Sequence, residues 1–376
     1  MGVSIDAAVR FTRVSVYLAH SWPSSKTSTK KQNVKLQIIW YVSVATSVGL
    51  LVPLLLSMYT NQSNSLVFTQ SACFVGAICN YLAKMIAYRM QRRRTQILIS
   101  EMEDFLKAAK PHEKKVLEDY VGRTLAFHVL ITAVNYVTAL GVICGPLFLP
   151  QEFPTDAAYP FSVDSRFVKY AIYLHQSFVG FQCSTGATID CQTALMLWFA
   201  GARLEILTLE IKNVSDLNSL RCFVQKHQRL LSYAREVCHT ASYIVLTTSI
   251  ACGFGTIFSG LQLLSNQPLA VKIQFGPVVL VAGMNLFVCC WPADNLIRVC
   301  DMMGDAVWDA SWPDESSRMM KNYSMILHRS QRPVIVSIAG FIPVLSLRSY
   351  ATYLSSAFSY TTTLRLVLNT NPEIQQ

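Results

Sequence analysis

The stretch LQIIWYVSVATSVGLLVPLLLSM (residues 36–58) decides the fold: it is long enough to cross a bilayer, and a basic tail leads into it. A hydrocarbon core of about 30 Å takes on the order of 20 apolar residues in a helix. Lys30, Lys31 and Lys35 stand directly before the stretch, and residues 59–65 after it carry no Lys or Arg. Six more stretches of spanning length follow, at about 66–88, 125–149, 172–200, 237–264, 273–300 and 342–368.

Positive charge alternates between the gaps. Lys and Arg number six in residues 1–35, nine in 89–124, six in 201–236 and four in 301–341. Residues 59–65 and 265–271 have none, and 150–171 have two. One face therefore carries 25 and the other 2. Basic residues stay on the cytoplasmic side, so seven spans predict a cytoplasmic N-terminus and an extracellular C-terminus. A G-protein-coupled receptor has the reverse arrangement and is disfavoured on sign alone.

Composition agrees with a chain that is nearly all bilayer. Of 376 residues, 52% are hydrophobic and 14% charged, against about 25% charged in a soluble domain. The net charge of +10 gathers at span ends rather than on one soluble face, which reads as topology near anionic lipid and not as a nucleic-acid surface. The eleven cysteines include no CxxC spacing; buried cysteine behaves as a small hydrophobe, and neither a metal nor another cofactor is indicated. Asn61-Gln-Ser63 is a glycosylation sequon on the predicted outer side.

Enzyme signatures are lacking: no phosphate-binding glycine loop, no HExxH, no GxSxG. Charges inside spans are few (Lys84, Asp190, Asp294, Arg298, Arg348, Arg365), and such groups mark function or a specific pairing. Lys84 and Arg298 lie near span ends, where snorkelling suffices. Asp190 lies deeper, with structural pairing weighed ahead of gating. The segments 89–124 and 201–236 repeat apolar residues at helical spacing, for instance Leu204, Leu207 and Ile211, and predict helices reaching into the cytoplasm. Residues 150–171, rich in Pro and aromatics, suit either a lid over a cavity or a belt at headgroup depth. The last span carries Ser355, Ser356, Ser359, Thr361, Thr362 and Thr363. Hydroxyls there fit close helix packing or a water-filled pore closed by one apolar ring.

Three stretches then carry a family likeness. Phe153-Pro154…Tyr159-Pro160-Phe161 with Tyr173 and Gln176 is similar to the second extracellular loop of insect odorant receptors. Phe223-Val-Gln-Lys-His227-Gln228-Arg-Leu-Leu231 resembles their cytoplasmic HQ helix. Ala310-Ser-Trp312, Arg318, Arg329-Ser-Gln-Arg332-Pro333-Val334, Ser359-Tyr360 and Leu364-Arg365 resemble their C-terminal signature. The chain thus resembles an odorant-gated cation channel subunit.

The resemblance implies an all-α membrane protein with seven transmembrane helices and a cytoplasmic anchor domain. Its parts would be a cytoplasmic segment 1–35; a ligand-sensing bundle 36–300 with lid 150–171 and cytoplasmic helices 89–124 and 201–236; an anchor segment 301–341; and a pore helix with a short extracellular tail, 342–376. A tetramer is implied, pairing this chain with a common odorant co-receptor; the short 201–236 interval lacks the co-receptor's long insertion. Neither a G protein nor nucleic acid is implied as a partner. The pore would run past Tyr360, Thr363, Leu364 and Val367, with Thr363 departing from the apolar residue at the co-receptor's gate. His227, Trp312, Arg332 and Pro333 would anchor subunits. A small apolar volatile would bind in the outer half of the bundle, with Phe74, Ile78, Tyr136, Leu140, Phe178, Phe181, Gln182, Phe254, Ile257 and Phe258 as candidates. The implied location is the plasma membrane of olfactory sensory neurons. The related gustatory receptors, which work as homotetramers, carry a TY…QF signature that Leu366-Val367 does not match; a secondary transporter is a weaker alternative, since no internal repeat is evident.

Overall fold

The computed structural model describes residues 5–17, 19, 21–23, 29–148, 151–265, 269–309, 317–338 and 340–370. Ten α-helices occur among the described residues: α1 (Ile5–Ser15), α2 (Lys30–Thr60), α3 (Ser65–Met90), α4 (Arg92–Ala108), α5 (Pro111–Ile143), α6 (Arg166–Glu210), α7 (Leu217–Leu264), α8 (Leu269–Trp308), α9 (Ser317–Ser330) and α10 (Leu347–Thr370). Three starts have a clear local cause. Thr29 and Gln32 form a reciprocal capping box at α2, Asn64 caps α3, and Asp216 with Ser219 boxes α7.

Five of these helices are apolar and long enough to cross a membrane: α2, α3, α5, α7 and α8. Two others that correspond to expected spans, α6 and α10, have the length at 45 and 24 residues but carry more polar side chains. For α6 the reason is its position. It packs against α1, α2, α3, α5, α7 and α8, and between Ser184 and Leu204 only Leu195 and Arg203 are not fully buried. A helix enclosed by protein needs no uniformly apolar surface, provided its polar groups find partners. They do: Thr188 Oγ1 donates to the Ser15 carbonyl at 3.0 Å, and Ser21 Oγ to Gln192 Oε1 at 2.5 Å.

The expected extensions are helical. Residues 92–108 form α4, α5 starts at Pro111, α6 runs on to Glu210 and α7 begins at Leu217. The last helix starts at Leu347, not at 342, because residues 331–338 and 340–346 form a non-helical connection. There Val334, Val336 and Ile338 alternate into the core, Ile338 bridges Ile342, and Gly340 turns the chain at φ +74°, a conformation open to glycine without strain.

One sequence expectation fails outright. Lys84 does not snorkel: it is wholly buried, with Nζ 2.7 Å from Asp190 Oδ2. The structure thus supplies Asp190 with the pairing weighed for it.

Candidate functional site

At the end of the bundle closed by residues 151–165, the helices part around a cavity of about 190 Å³. Each wall helix contributes a stripe at helical spacing: Cys73, Phe74, Ala77 and Asn80 from α3; Asn135, Thr138, Ala139 and Val142 from α5; Gln176, Val179, Cys183 and Ala187 from α6; Thr248, Cys252 and Gly255 from α7; Val278, Ala282 and Asn285 from α8. Leu50 of α2 closes one side, and Pro154 and Thr155 form the roof. Short side chains are why the space exists: close-packed interiors leave voids only where facing residues are small.

The roof is pinned. Gln176 Oε1 accepts from both the Thr155 amide and its hydroxyl at 3.0 Å, and Gln176 Nε2 donates to Tyr159 Oη at 3.1 Å. The Ala158 amide donates to the Pro53 carbonyl at 3.0 Å. Phe153 packs edge to face on Tyr159 at a centroid distance of 6.4 Å, and Tyr159 packs tilted against Phe161 at 5.4 Å. Burial raises the Asp156 carboxyl above the usual carboxylate range. Of this loop, Pro154 and Thr155 border the cavity, while Phe161 is exposed.

Beneath the cavity lies the Lys84–Asp190 pair. Lys84 Nζ also donates to the Gly186 carbonyl at 3.3 Å, and Asp190 Oδ1 accepts from Thr248 Oγ1 at 2.7 Å. Thr248 therefore belongs both to the cavity wall and to the buried charge network. Two wall amides pair with each other: Asn135 Nδ2 donates to Asn285 Oδ1 at 3.1 Å and Asn285 Nδ2 back to Asn135 Oδ1 at 3.4 Å. Among the described residues, the wall holds no Asp, Glu, Lys, Arg or His.

The sequence candidates fall in several places. Phe74 and Ile78 line the cavity. Tyr136 and Phe181 pack together at 6.3 Å, with Tyr136 Oη 3.0 Å from Thr185 Oγ1. Gln182 ties α6 to α2 through Ser47 Oγ at 3.1 Å. Leu140 and Phe178 point outward, 45% and 43% exposed. Phe254 and Phe258 line a surface groove between α3 and α7, and Ile257 lines another between α7 and α10. The residues not foreseen, Asn80, Asn135, Thr248 and Asn285, share one signal: small or amide side chains recurring every three or four positions on spans otherwise rich in large apolar residues.

On α10, Ala357 and Thr361 are buried against the bundle, whereas Tyr360, Thr363 and Leu364 are exposed; Val367 lies in the helix, its side chain outside the described residues. His227 is buried against Phe223, their rings 6.3 Å apart, while Arg332 is exposed and Pro333 half-buried. Trp312 lies outside the described residues. Asn61 ends α2, its side-chain amide donating to the Ser57 carbonyl at 2.9 Å.

A sequence profile described as "7tm Odorant receptor" matches residues 64–358. The chain belongs to the odorant receptor family. It is 21% identical to odorant receptor 13a of Drosophila melanogaster over 92% of each chain, and 27% identical to odorant receptor Or2 of Anopheles gambiae over 38% of each. Its fold is similar to that of the olfactory receptor OR5 from Machilis hrabei, solved alone and in complex with eugenol. The TM-scores are 0.79 and 0.78, at 13% identity, and the matches cover 96% of this chain and 97% and 98% of the OR5 chains. Membership of this family makes the chain a multi-pass membrane receptor of olfaction rather than an enzyme.

Proposed function

We propose that this odorant receptor is the ligand-tuning subunit of a cation channel, and that the 190 Å³ cavity is where a small volatile binds. The observation that carries the reading is the cavity itself: enclosed by six helices, roofed by a hydrogen-bonded loop and free of ionised side chains. Such a site suits a small neutral molecule recognised by shape with few polar anchors. Solved OR5 holds eugenol, and its fold is shared over nearly the whole chain.

The charge bias of the gaps supports a cytoplasmic N-terminus and an extracellular C-terminus. This orientation puts the roofed cavity in the outer leaflet and Asn61 outside. The α4–α5 and α6–α7 ends then reach into the cytoplasm as the anchor, with His227, Trp312, Arg332 and Pro333. The exposed hydroxyl face of α10 supports a pore lining shared with neighbouring subunits, a common co-receptor among them, in the plasma membrane of olfactory sensory neurons. Ligand shifts the closed–open equilibrium only by its difference in affinity for the two states.

Whole-cell current under an odorant panel tests the reading, with the chain expressed alone and with the co-receptor. Current evoked only in the pair, and lost in Ala139→Phe, which fills the cavity, is the expected result. Current from the chain alone points to a gustatory-type homotetramer. An unaltered response in Ala139→Phe places the ligand elsewhere.

A further inference from the structure

Outside the cavity, α3 and α7 bound a second space, a groove of about 340 Å³ lined by Val75 and Cys79 of α3 and by Ile250, Phe254 and Phe258 of α7. Gly76, Asn80 and Ala251 line this groove and the cavity alike. At those positions a single residue separates the two spaces, and a Gly and an Ala put little bulk there. Phe254 stands beside them: a Cβ at Gly76 would lie 3.7 Å from Phe254 Cβ. The Phe254 ring stacks on Phe258 at 5.7 Å and is 49% exposed.

The two helices are fastened on either side of this place. Toward the roof, Cys73 Sγ lies 3.1 Å from Ser259 Oγ, and Gln262 Nε2 donates to Thr69 Oγ1 at 2.6 Å. Beneath, Asp190 of α6 joins Lys84 to Thr248. From Cys73 to Lys84 is about 16 Å of helix, and between those ties no hydrogen bond joins α3 to α7 among the described residues. The roof differs. To lift, it must break the bonds of the Thr155 amide and hydroxyl to Gln176, of Gln176 to Tyr159 and of the Ala158 amide to Pro53, each worth about 1 kcal/mol net. Clearing the gap between α3 and α7 asks for rotation of the exposed Phe254 ring, a motion of nanoseconds or less, and a small parting of the helices. It breaks no hydrogen bond between them.

We propose that ligands reach the cavity from the bilayer, through this window between α3 and α7, with Phe254 as its shutter. The proposal rests on the cavity being the ligand site and on the orientation argued above, which sets the groove against lipid tails of the outer leaflet. The route then sets the ligand class. Val75, Cys79, Ile250, Phe254 and Phe258 offer no charge, so a neutral molecule dissolved among lipid tails passes from hydrocarbon into an equally apolar groove. A charged molecule would have to shed its water first, at a cost nothing in the groove offsets. An apolar cavity of about 150 Å³ holds a benzene ring, so 190 Å³ suits one substituted ring or a short chain of similar bulk.

The test follows fluorobenzene by fluorine NMR, exchanging between lipid and the receptor assembled with its co-receptor in nanodiscs. The bound resonance that Ala139→Phe removes is that of this cavity. A barrier on the route changes entry and exit by one factor and leaves occupancy alone, because the two end states are untouched. Cys79 lines the groove and not the cavity. Cys79→Trp should therefore slow exchange about fivefold, equivalent to about 1 kcal/mol of added barrier, with the bound population unchanged. Phe254→Ala should speed exchange, again at constant population. Tyr159→Phe, which removes the acceptor of Gln176 Nε2 in the roof, should leave the rate as it is. Exchange unaltered in both groove variants would mean that the groove only seats lipid chains, and overturns the proposal; where one variant fails to assemble, the other decides. Faster exchange in Tyr159→Phe also overturns it, by routing the ligand through the roof. Either result leaves the cavity standing. A receptor with no resonance sensitive to Ala139→Phe loses the cavity as ligand site, and the window with it.

Discussion

Lys84 and Asp190 are 106 residues apart in sequence, and nothing in either local context says that they meet. Near a span end a lysine can snorkel, so the structure's answer, a wholly buried ion pair, is a tertiary fact. It decides how α3, α6 and α7 are held, since Asp190 also takes Thr248 of α7. Removing one partner leaves the other charge buried without compensation, which typically costs 3–5 kcal/mol, whereas replacing both by apolar groups of similar volume is often neutral. Lys84→Ala should therefore lower the thermal-unfolding midpoint of the detergent-solubilised receptor sharply, by an equivalent of about 3 kcal/mol or more. Lys84→Met combined with Asp190→Leu should recover most of that loss. A Lys84→Ala variant that melts like the unmodified receptor would show the pair to be dispensable.

At the level of elements, sequence reasoning succeeded where hydropathy and length govern. The apolar runs became α2, α3, α5, α7 and α8, and the amphipathic periodicity of 201–236 became the joined ends of α6 and α7. It did not resolve the 331–346 connection, although Val334, Val336 and Ile338 alternate, because three residues of period-2 pattern are too few to outweigh a helical neighbourhood. Nor was the docking of α10 legible. That helix lies on α7 and α8, and α7 meets it with Gly253 and Gly260, two turns apart on one face. A Cβ at Gly253 would stand 2.6 Å from Tyr353 Oη, and one at Gly260 would stand 2.8 Å from Thr361 Cγ2. Tyr353 uses that space to donate to the Ser249 carbonyl. Gly253→Ala should expel the phenol, break this bond and loosen α10, at the roughly 1–3 kcal/mol typical of an overpacked contact. Hydrogen exchange should then quicken in residues 347–361 and stay unchanged in α6; uniform exchange across both would mean that Tyr353 does not hold the helix.

For the whole molecule, the cavity and the exposed face of α10 are two consequences of one arrangement. Sequence reasoning looked for a pocket among large aromatics, and of the described residues that line this cavity only Phe74 is aromatic. Large side chains fill space; cavities survive beside Gly, Ala, Cys, Asn and Thr, which from sequence alone look like ordinary helix-packing residues. The reverse holds on α10. Its inner edge, Tyr353, Ala357 and Thr361, packs on the bundle, and its other face, with Ser359, Tyr360, Thr363 and Leu364, is exposed among the described residues. Thr352, Thr362 and Thr363 donate to carbonyls of their own helix, so the hydroxyls of this face suit lipid as well as the water-filled axis between subunits proposed above. Thr363 lies on this face with its hydroxyl turned back to the Ser359 carbonyl at 2.9 Å, and its side chain is exposed. In an assembly with the co-receptor, Thr363→Leu should enlarge the apolar ring that closes by dewetting, so basal current falls and single-channel conductance drops while ligand potency stays the same. Channel properties identical to those of the unmodified receptor, at equal surface expression, would remove Thr363 from the pore.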